Sequence, residues 1–119
     1  MMDLDTLAAY LRSRPGATEG TAWGPEHWVY KVGGKLFAVL SWDEDPMRMS
    51  LKCPPERVEE LRAVFPAIQP PAYFNKRHWN LIVLDGSVPD LEIEAMIDTS
   101  HELIVASLTK KTRSALGLG

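Results

Sequence analysis

The sequence lacks the features that mark several classes of protein. Its single cysteine, Cys53, excludes an internal disulfide, so we expect a small, partly buried thiol in a reducing compartment. The longest apolar runs, residues 36–40 and 81–84, are far shorter than the roughly 20 residues of a membrane span or the ~7–15 of a signal-peptide core. We therefore expect a cytoplasmic chain with no membrane contact.

Signatures of catalysis and of cofactor binding are also missing. Asp98, Ser100 and His101 are the residue types of a hydrolase triad, but three residues within four positions cannot easily form a nucleophile, base and orienter chain. Helix capping explains them better. The histidines, which include His27 and His78, have neither the i, i+4 spacing nor the partners of a zinc site. We predict no enzymatic activity, no cofactor and no metal.

A strong basic charge is absent as well. The net charge of −3 argues against a strongly basic nucleic-acid binder, and 119 residues with 45% hydrophobic and 24% charged side chains indicate one globular domain over residues 1–119. Residues 27–82 nevertheless carry eight Lys and Arg against six acids. This imbalance permits a local cationic face.

Periodicity predicts an α+β domain of order roughly αβββαββα. Asp3 can cap a first helix, after which residues 27–32 alternate, Gly33 and Gly34 form a turn, and residues 35–42 run back as the second arm of a hairpin. This order implies an antiparallel sheet with helices on one face, as in α+β domains. The other face would be partly open.

Side-chain parity assigns residues to the two faces of that sheet. The strand after the hairpin places Met49 and Leu51 on the core side. The residues whose parity could place them on the open side are Arg48, Ser50 and Lys52, together with His27 and Lys31 of the neighbouring hairpin.

The remaining elements are predicted to be helices. Pro54 and Pro55 open a helix from which Arg57 and Arg62 should point outward. The C-terminal region is helical, and a capping box at residues 99–102 would bend it near residues 98–100. Its last cations suit a helix C-terminus, where they would compensate the helix dipole; they are Lys110, Lys111 and Arg113.

The densest polar cluster is at residues 73–79. It combines three aromatic rings, two cations, an amide and an imidazole, which is the composition of a contact surface with donors for anions and flat rings for stacking. Lys76 and Arg77 could contact phosphates and Asn75 and His78 could add hydrogen bonds, although adjacent cations in a loop are more often solvated surface.

Trp79 ends this cluster and begins the strand that follows. It shares its parity with Leu81 and Val83, and an indole in that company is typically part of a core. We therefore predict that Trp79 is a core residue and not a stacking platform.

Two motifs resemble those of a known family. Asn75-Lys76-x-His78-Trp79 opens a late strand, and the segment Ile97-Asp98-x-Ser100-x-Glu102-Leu103-x-Val105 follows on the last long helix. With the order of elements, they resemble the MmcQ/YjbR family over nearly the whole chain. One departure is that His101 stands where the family usually has tyrosine.

The resemblance implies a small cytoplasmic bacterial protein that has a CyaY-like (frataxin-like) fold and binds DNA. It carries over no catalytic residues. The leading hypothesis is a non-enzymatic DNA-binding protein; the alternative is a small interaction module that binds a protein partner or a small anionic ligand at the same face. We expect a monomer. The candidate binding residues are Asn75, Lys76, Arg77 and His78, with Arg48, Lys52 and Lys31 on the sheet.

Overall fold

The computed structural model describes residues 2–119, which form one six-stranded antiparallel sheet with helices on one of its faces. In chain order the elements are α1 (Leu4–Arg12), β1 (Ala17–Thr21), β2 (His27–Val32), β3 (Lys35–Ser41), β4 (Arg48–Lys52), α2 (Pro55–Val64), β5 (Ile68–Gln69), β6 (Trp79–Val83), α3 (Asp90–Ser107) and α4 (Lys110–Ala115). In space the strands run β1-β2-β3-β4-β6-β5. The predicted α+β class is confirmed, but the predicted order lacks one strand and one helix.

The missing strand is β1. It is polar and almost entirely exposed, so it shows no alternation that would predict a strand. It pairs with β2 along its whole length, from Ala17 opposite Val32 to Thr21 opposite Trp28. The edge of the hairpin, and not the propensity of the segment, makes these residues extended.

The predicted hairpin turn is confirmed. Gly33 and Gly34 join β2 to β3 with φ angles of 58° and 78°, which glycine adopts without strain. A Cβ at Gly33 would lie 2.7 Å from a methyl carbon of Leu108. Gly33 is therefore required both by the turn and by the close approach of the C-terminal segment.

The core lies between the sheet and the helices. One apolar row crosses five strands of the helix-covered face, each member opposite the next in register: Trp28, Leu40, Met49, Ile82 and Ile68. Buried leucines of α1 and isoleucines of α3 belong to the same cluster: Leu7, Leu11, Ile93, Ile97 and Ile104. None of the helices within residues 2–119 is long and apolar enough to cross a membrane.

The C-terminal helices differ from the prediction. α3 runs unbroken through residues 98–100, so the capping box does not operate, and α4 is a separate helix with Thr109 as its N-cap. Lys110 and Lys111 thus begin a helix instead of ending one. Arg113 does act at a helix end, since its Nη1 donates to the carbonyls of Ala106 at 3.4 Å and Leu108 at 3.0 Å.

The hydroxyl of Ser100, near the middle of α3, bonds to the backbone of the sheet. The pairing of β3 with β4 ends at Ala38 opposite Leu51, one position before Phe37 would meet Lys52. Ser100 Oγ accepts the Lys52 backbone N–H at 2.9 Å and donates to the Phe37 carbonyl at 2.6 Å. The hydroxyl thus continues the strand ladder by one rung and attaches α3 to two strands.

Candidate functional site

The loop before β6 contains the dense polar cluster, and one of its own side chains shapes it. Asn75 Oδ1 accepts the Arg77 backbone N–H at 2.8 Å, and the Asn75 carbonyl accepts the His78 N–H at 3.1 Å. An Asx turn of this kind reverses the chain and leaves Lys76 and Arg77 exposed. Asn75 therefore forms the turn that presents both cations, while His78 is half-buried beside β6.

Arg62 of α2 anchors the backbone of this loop. Its Nη2 donates to the carbonyls of Lys76 at 2.7 Å and Trp79 at 3.3 Å, and its Nε donates to Asn80 Oδ1 at 2.8 Å. The prediction that Arg62 points outward is wrong, because only 15% of its side chain is exposed. Helical periodicity gave no sign of this role, since the partners lie on a loop that folds back over the helix.

We call the sheet face opposite the helices the open face. By register it holds Thr18, Gly20, His27, Val29, Lys31, Leu36, Val39, Ser41, Arg48, Ser50, Lys52, Gln69, Trp79, Leu81 and Val83. No strand position of this face within residues 2–119 carries an acid. The parity-based placement of Arg48, Ser50, Lys52, His27 and Lys31 on it is confirmed.

Only some of the candidate cations lie at the same end of the sheet. Lys52 lies opposite Trp79 in register, at the end of the sheet where the loop before β6 joins it. Lys31 of β2 lies at that same end of the sheet. Arg48 lies at the other end, opposite Val83, and its Nε is 3.6 Å from the carboxylate of Glu44. We call Lys31, Lys52, Lys76 and Arg77 the cation cluster. None of its members has an ion pair within residues 2–119.

A chain of rings, which we call the aromatic bridge, crosses the open face diagonally. Trp79 stacks on Phe74 with centroids 4.6 Å apart, Phe74 meets Trp23 edge-on at 6.4 Å, and Trp23 meets His27 edge-on at 6.4 Å. The prediction of Trp79 as a core residue is wrong, because the side chains of β6 that face the helices belong to Asn80 and Ile82. Trp79 is instead a half-buried member of the bridge.

The loops that carry the aromatic bridge cover part of the open face. Val29, Val39 and Ser50 are buried in the middle of this face although no helix packs there. The loop between β1 and β2 brings Trp23, and the loop between β5 and β6 brings Phe74, from opposite sides of the sheet. Sequence patterning missed this cover, because a contact between two loops leaves no periodic signal.

Trp23 is both exposed and conformationally unusual. Its side chain is 68% exposed, and its φ of 60° lies in the left-handed region, which costs a non-glycine residue roughly 1–2 kcal/mol. Tyr73, next to Phe74, is 96% exposed. Strained residues and exposed rings concentrate at functional surfaces, so the surface around Trp23 and Tyr73 is the first place to look for a partner.

The triad residue types on α3 are structural. Asp98 Oδ1 accepts the hydroxyl of Tyr10 and the Nη1 of Arg14, each at 2.8 Å. His101 is buried, and its Nε2 donates to the carbonyl of Pro15 at 2.7 Å. With Ser100 bound to the sheet, the three side chains face different partners and cannot act as a nucleophile, base and orienter.

Burial is the largest cause of the raised pKa values. Burial and the hydrogen bond to Asp98 raise the pKa of Tyr10 to about 12, and burial with a hydrogen bond to Glu19 also raises the pKa of Tyr30. Burial raises the pKa of the Cys53 thiol, which keeps the sulfur protonated and unreactive at neutral pH. Within residues 2–119, no three His, Cys, Asp or Glu side chains form a group that could hold a metal ion.

Comparison with known proteins gives the family. A family model described as YjbR matches residues 12–103. The chain is 33% identical over 115 residues to the uncharacterized protein YjbR of Escherichia coli (strain K12), which covers 97% of this chain and 98% of that protein. It is 28% identical over 96 residues to the uncharacterized protein YbdF of Escherichia coli O157:H7, covering 81% of this chain and 79% of that protein.

Solved structures with similar folds support the same family assignment. Protein DR2400 of Deinococcus radiodurans, described by its domain DUF419, superposes with a TM-score of 0.92 at 35% identity, covering 100% of this chain and 91% of that chain. A protein from Pseudomonas syringae superposes with a TM-score of 0.75 at 26% identity, covering 87% of this chain and 99% of that chain. The resemblance inferred from two short motifs is confirmed, and the chain belongs to the YjbR family.

Proposed function

We propose that this chain is a non-enzymatic DNA-binding protein that contacts phosphates through the cation cluster. The observation that supports this most is the sign of the charge on the open face, whose strand positions within residues 2–119 carry lysine and arginine but no acid. A phosphate backbone recognised by Lys and Arg is the polyanion that such a face would attract.

The net charge of −3 does not oppose this proposal. The acids lie on the helices, in the loops, or on the helix side of the sheet, as Glu19 does where it accepts the Tyr30 hydroxyl. A local field of one sign can steer a charged partner to one surface although the whole molecule carries the opposite sign.

Exposed rings on the loops that flank the open face add a second mode of contact. Bases stack on aromatic side chains, and Trp23 and Tyr73 present such rings at the edge of the open face. The proposal also includes the CyaY-like (frataxin-like) fold, the cytoplasmic location and the monomeric state that the sequence predicted. An antiparallel sheet with helices on one face supports the first of these.

A salt titration tests the proposal. If four cations neutralise four phosphates, the logarithm of the association constant should fall with the logarithm of salt concentration with a slope of about −3.6. Fluorescence anisotropy with a labelled duplex should then show a loss on the order of 100-fold between about 50 mM and about 200 mM salt. An absence of binding at the lower salt with tens of micromolar protein would refute DNA binding.

A protein partner is the second candidate, and a specific observation favours it. Trp23 and Tyr73 are large, exposed and adjacent to Phe74, and aromatic residues are enriched at the centres of protein interfaces. Binding that is insensitive to salt and lost in the double variant Trp23→Ala and Tyr73→Ala would favour this candidate. A partner whose binding instead requires the cation cluster would indicate an anionic ligand.

A further inference from the structure

The loops at the two ends of the sheet carry opposite charge. Those at the end where the cation cluster lies contain three cations and no acid; they are residues 13–16, 33–34, 53–54 and 70–78. Those at the other end are residues 22–26, 42–47, 65–67 and 84–89. They contain no Lys or Arg but five acids, which are Glu26, Asp43, Glu44, Asp45 and Asp85. We call the two ends the basic end and the acidic end.

The short distance between these ends limits what can lie across the open face. β4 runs from Arg48 at the acidic end to Lys52 at the basic end, which is about 14 Å at ~3.4 Å per residue. A duplex laid across this face with one backbone on the cation cluster carries its second backbone across a groove of about 6–12 Å. Those phosphates would approach the acidic end, where like charges repel them. A single strand has no second backbone to be repelled.

The ring of Trp23 is open to stacking between the two ends. Its loop begins at the acidic end, and it reaches Phe74 of the loop that joins the basic end. Phe74 and His27 meet it at interplanar angles of 72° and 78°, so neither ring is stacked on it. With 68% of the residue exposed, the indole can accept the flat face of a base. In a duplex that face is covered by the neighbouring base pairs.

The backbone at Trp23 indicates that packing alone does not select this residue. Glycine and asparagine adopt a φ near 60° readily, whereas a bulky side chain is strained there. The exposed indole gains little burial to offset that strain, and unexplained strain is typical of contact residues. We propose that the DNA bound at the open face is single-stranded, with its phosphates on the cation cluster and an unpaired base stacked on Trp23. This inference rests on the proposed function and names its substrate class.

A comparison of two forms of one oligonucleotide tests the inference. A labelled strand of about 12 nucleotides and its blunt duplex are titrated with the full chain by fluorescence anisotropy at about 50 mM salt. The single strand should bind about tenfold or more tightly, since one stacked base contributes about 5-fold to about 150-fold in affinity. A duplex bound as tightly as the strand would overturn this inference and leave the proposed function standing. Absence of binding to both forms would refute the proposed function itself.

Trp23→Asn tests the role of the indole. Asparagine tolerates a φ of 60°, so the variant loses the ring and keeps the turn. Its affinity for the single strand should fall to near that for the duplex, which should not change. Leu91→Asn is the matched control, because it removes an 80% exposed apolar side chain from α3 and should bind both forms as the parent does. A single-strand preference that survives Trp23→Asn would overturn the inference.

An abasic strand gives a test that needs no variant. It has the same phosphates as the full strand but no bases, so the parent should bind it as weakly as Trp23→Asn binds the full strand. Equal affinity of the parent for the abasic and full strands would overturn the inference, because phosphate contacts alone would then account for binding.

Discussion

The loop before β6 and the motif on α3 use their polar side chains in opposite ways. On α3, Asp98, Ser100 and His101 all form hydrogen bonds to other elements of the fold. In the loop, the backbone is held by Arg62 while the side chains of Lys76 and Arg77 are exposed and have no ion pair within residues 2–119. Both motifs point to the same family, but of the two only the loop presents exposed cations to a partner.

The largest expected effect tests the structural half of this comparison. Ser100→Ala removes one acceptor and one donor and leaves the Lys52 N–H and the Phe37 carbonyl without partners. Since each buried unpaired group costs about 1–3 kcal/mol, the loss of two partners should lower the free energy of unfolding by about 2–6 kcal/mol in urea denaturation. Ser114→Ala, at an exposed position of α4, is the control and should change stability little. Equal stability of Ser100→Ala and the parent would refute the role of the hydroxyl.

The next effect concerns the support of the loop. Arg62→Ala removes the donors that bind Lys76, Trp79 and Asn80, so we expect a loss of about 1–3 kcal/mol and faster amide exchange at the Cys53 N–H, which donates to the His78 carbonyl at 2.8 Å.

Arg57→Ala is the matched control for that change. It removes the same side chain from the same helix, but Arg57 is exposed and its Nη2 lies 3.6 Å from a carboxylate oxygen of the equally exposed Glu60. Its stability should change by no more than about 0.5 kcal/mol. Comparable effects of the two substitutions would show that Arg62 does not anchor the loop.

A smaller effect should appear at high pH. The pKa of Tyr10 is about 12 in the folded chain against an ordinary value of 10.0, so the unfolded chain releases this proton first. The resulting stabilisation is complete below about pH 10 and is lost as the pH rises towards about 12. Tyr10→Phe should therefore flatten the fall of stability over this range in urea denaturation at several pH values. Tyr30 leaves part of the slope in place, since its pKa is raised too. Identical slopes for parent and variant would contradict the Tyr10–Asp98 assignment.

The smallest effect on stability belongs to the loop cations. The double variant Lys76→Ala and Arg77→Ala should unfold within about 0.5 kcal/mol of the parent while its DNA affinity falls and its salt slope decreases by about 2. Lys110→Ala with Lys111→Ala makes the same change of charge at exposed positions on α4 and should bind as the parent does. Equal losses in both double variants would mean that net charge, and not the cation cluster, determines binding.

The sequence predicted the parts of the fold that depend on local patterning. The β2–β3 hairpin, its glycine turn and the two faces of β4 are as expected, because alternation and turn chemistry are properties of adjacent residues. β1 escaped prediction because an edge strand with polar side chains owes its conformation to its neighbour. The continuity of α3 escaped because the Ser100 hydroxyl bonds to distant strands, which a capping pattern cannot indicate.

The candidate site was predicted in part, for a related reason. Lys76 and Arg77 are exposed as a polar loop implies, but β6 is apolar at nearly every position, so parity alone could not tell which face Trp79 occupies. Because Asn80 is the one polar residue of β6, the alternation favoured the wrong face for Trp79. Arg62 and the Trp23–Phe74 contact depend on loops that meet only in the folded chain.

The distribution of the tryptophans makes the chain its own optical reporter. Trp23 is 68% exposed, whereas Trp28 and Trp42 form a tilted pair with centroids 5.7 Å apart and Trp79 stacks beneath Phe74. The emission of the three shielded indoles reports whether the chain is folded. The fraction of emission that a soluble quencher such as iodide removes comes mainly from Trp23, which lies between Phe74 and His27 in the aromatic bridge. A partner that covers this ring would therefore be detected as protection from quenching, without a label on either molecule.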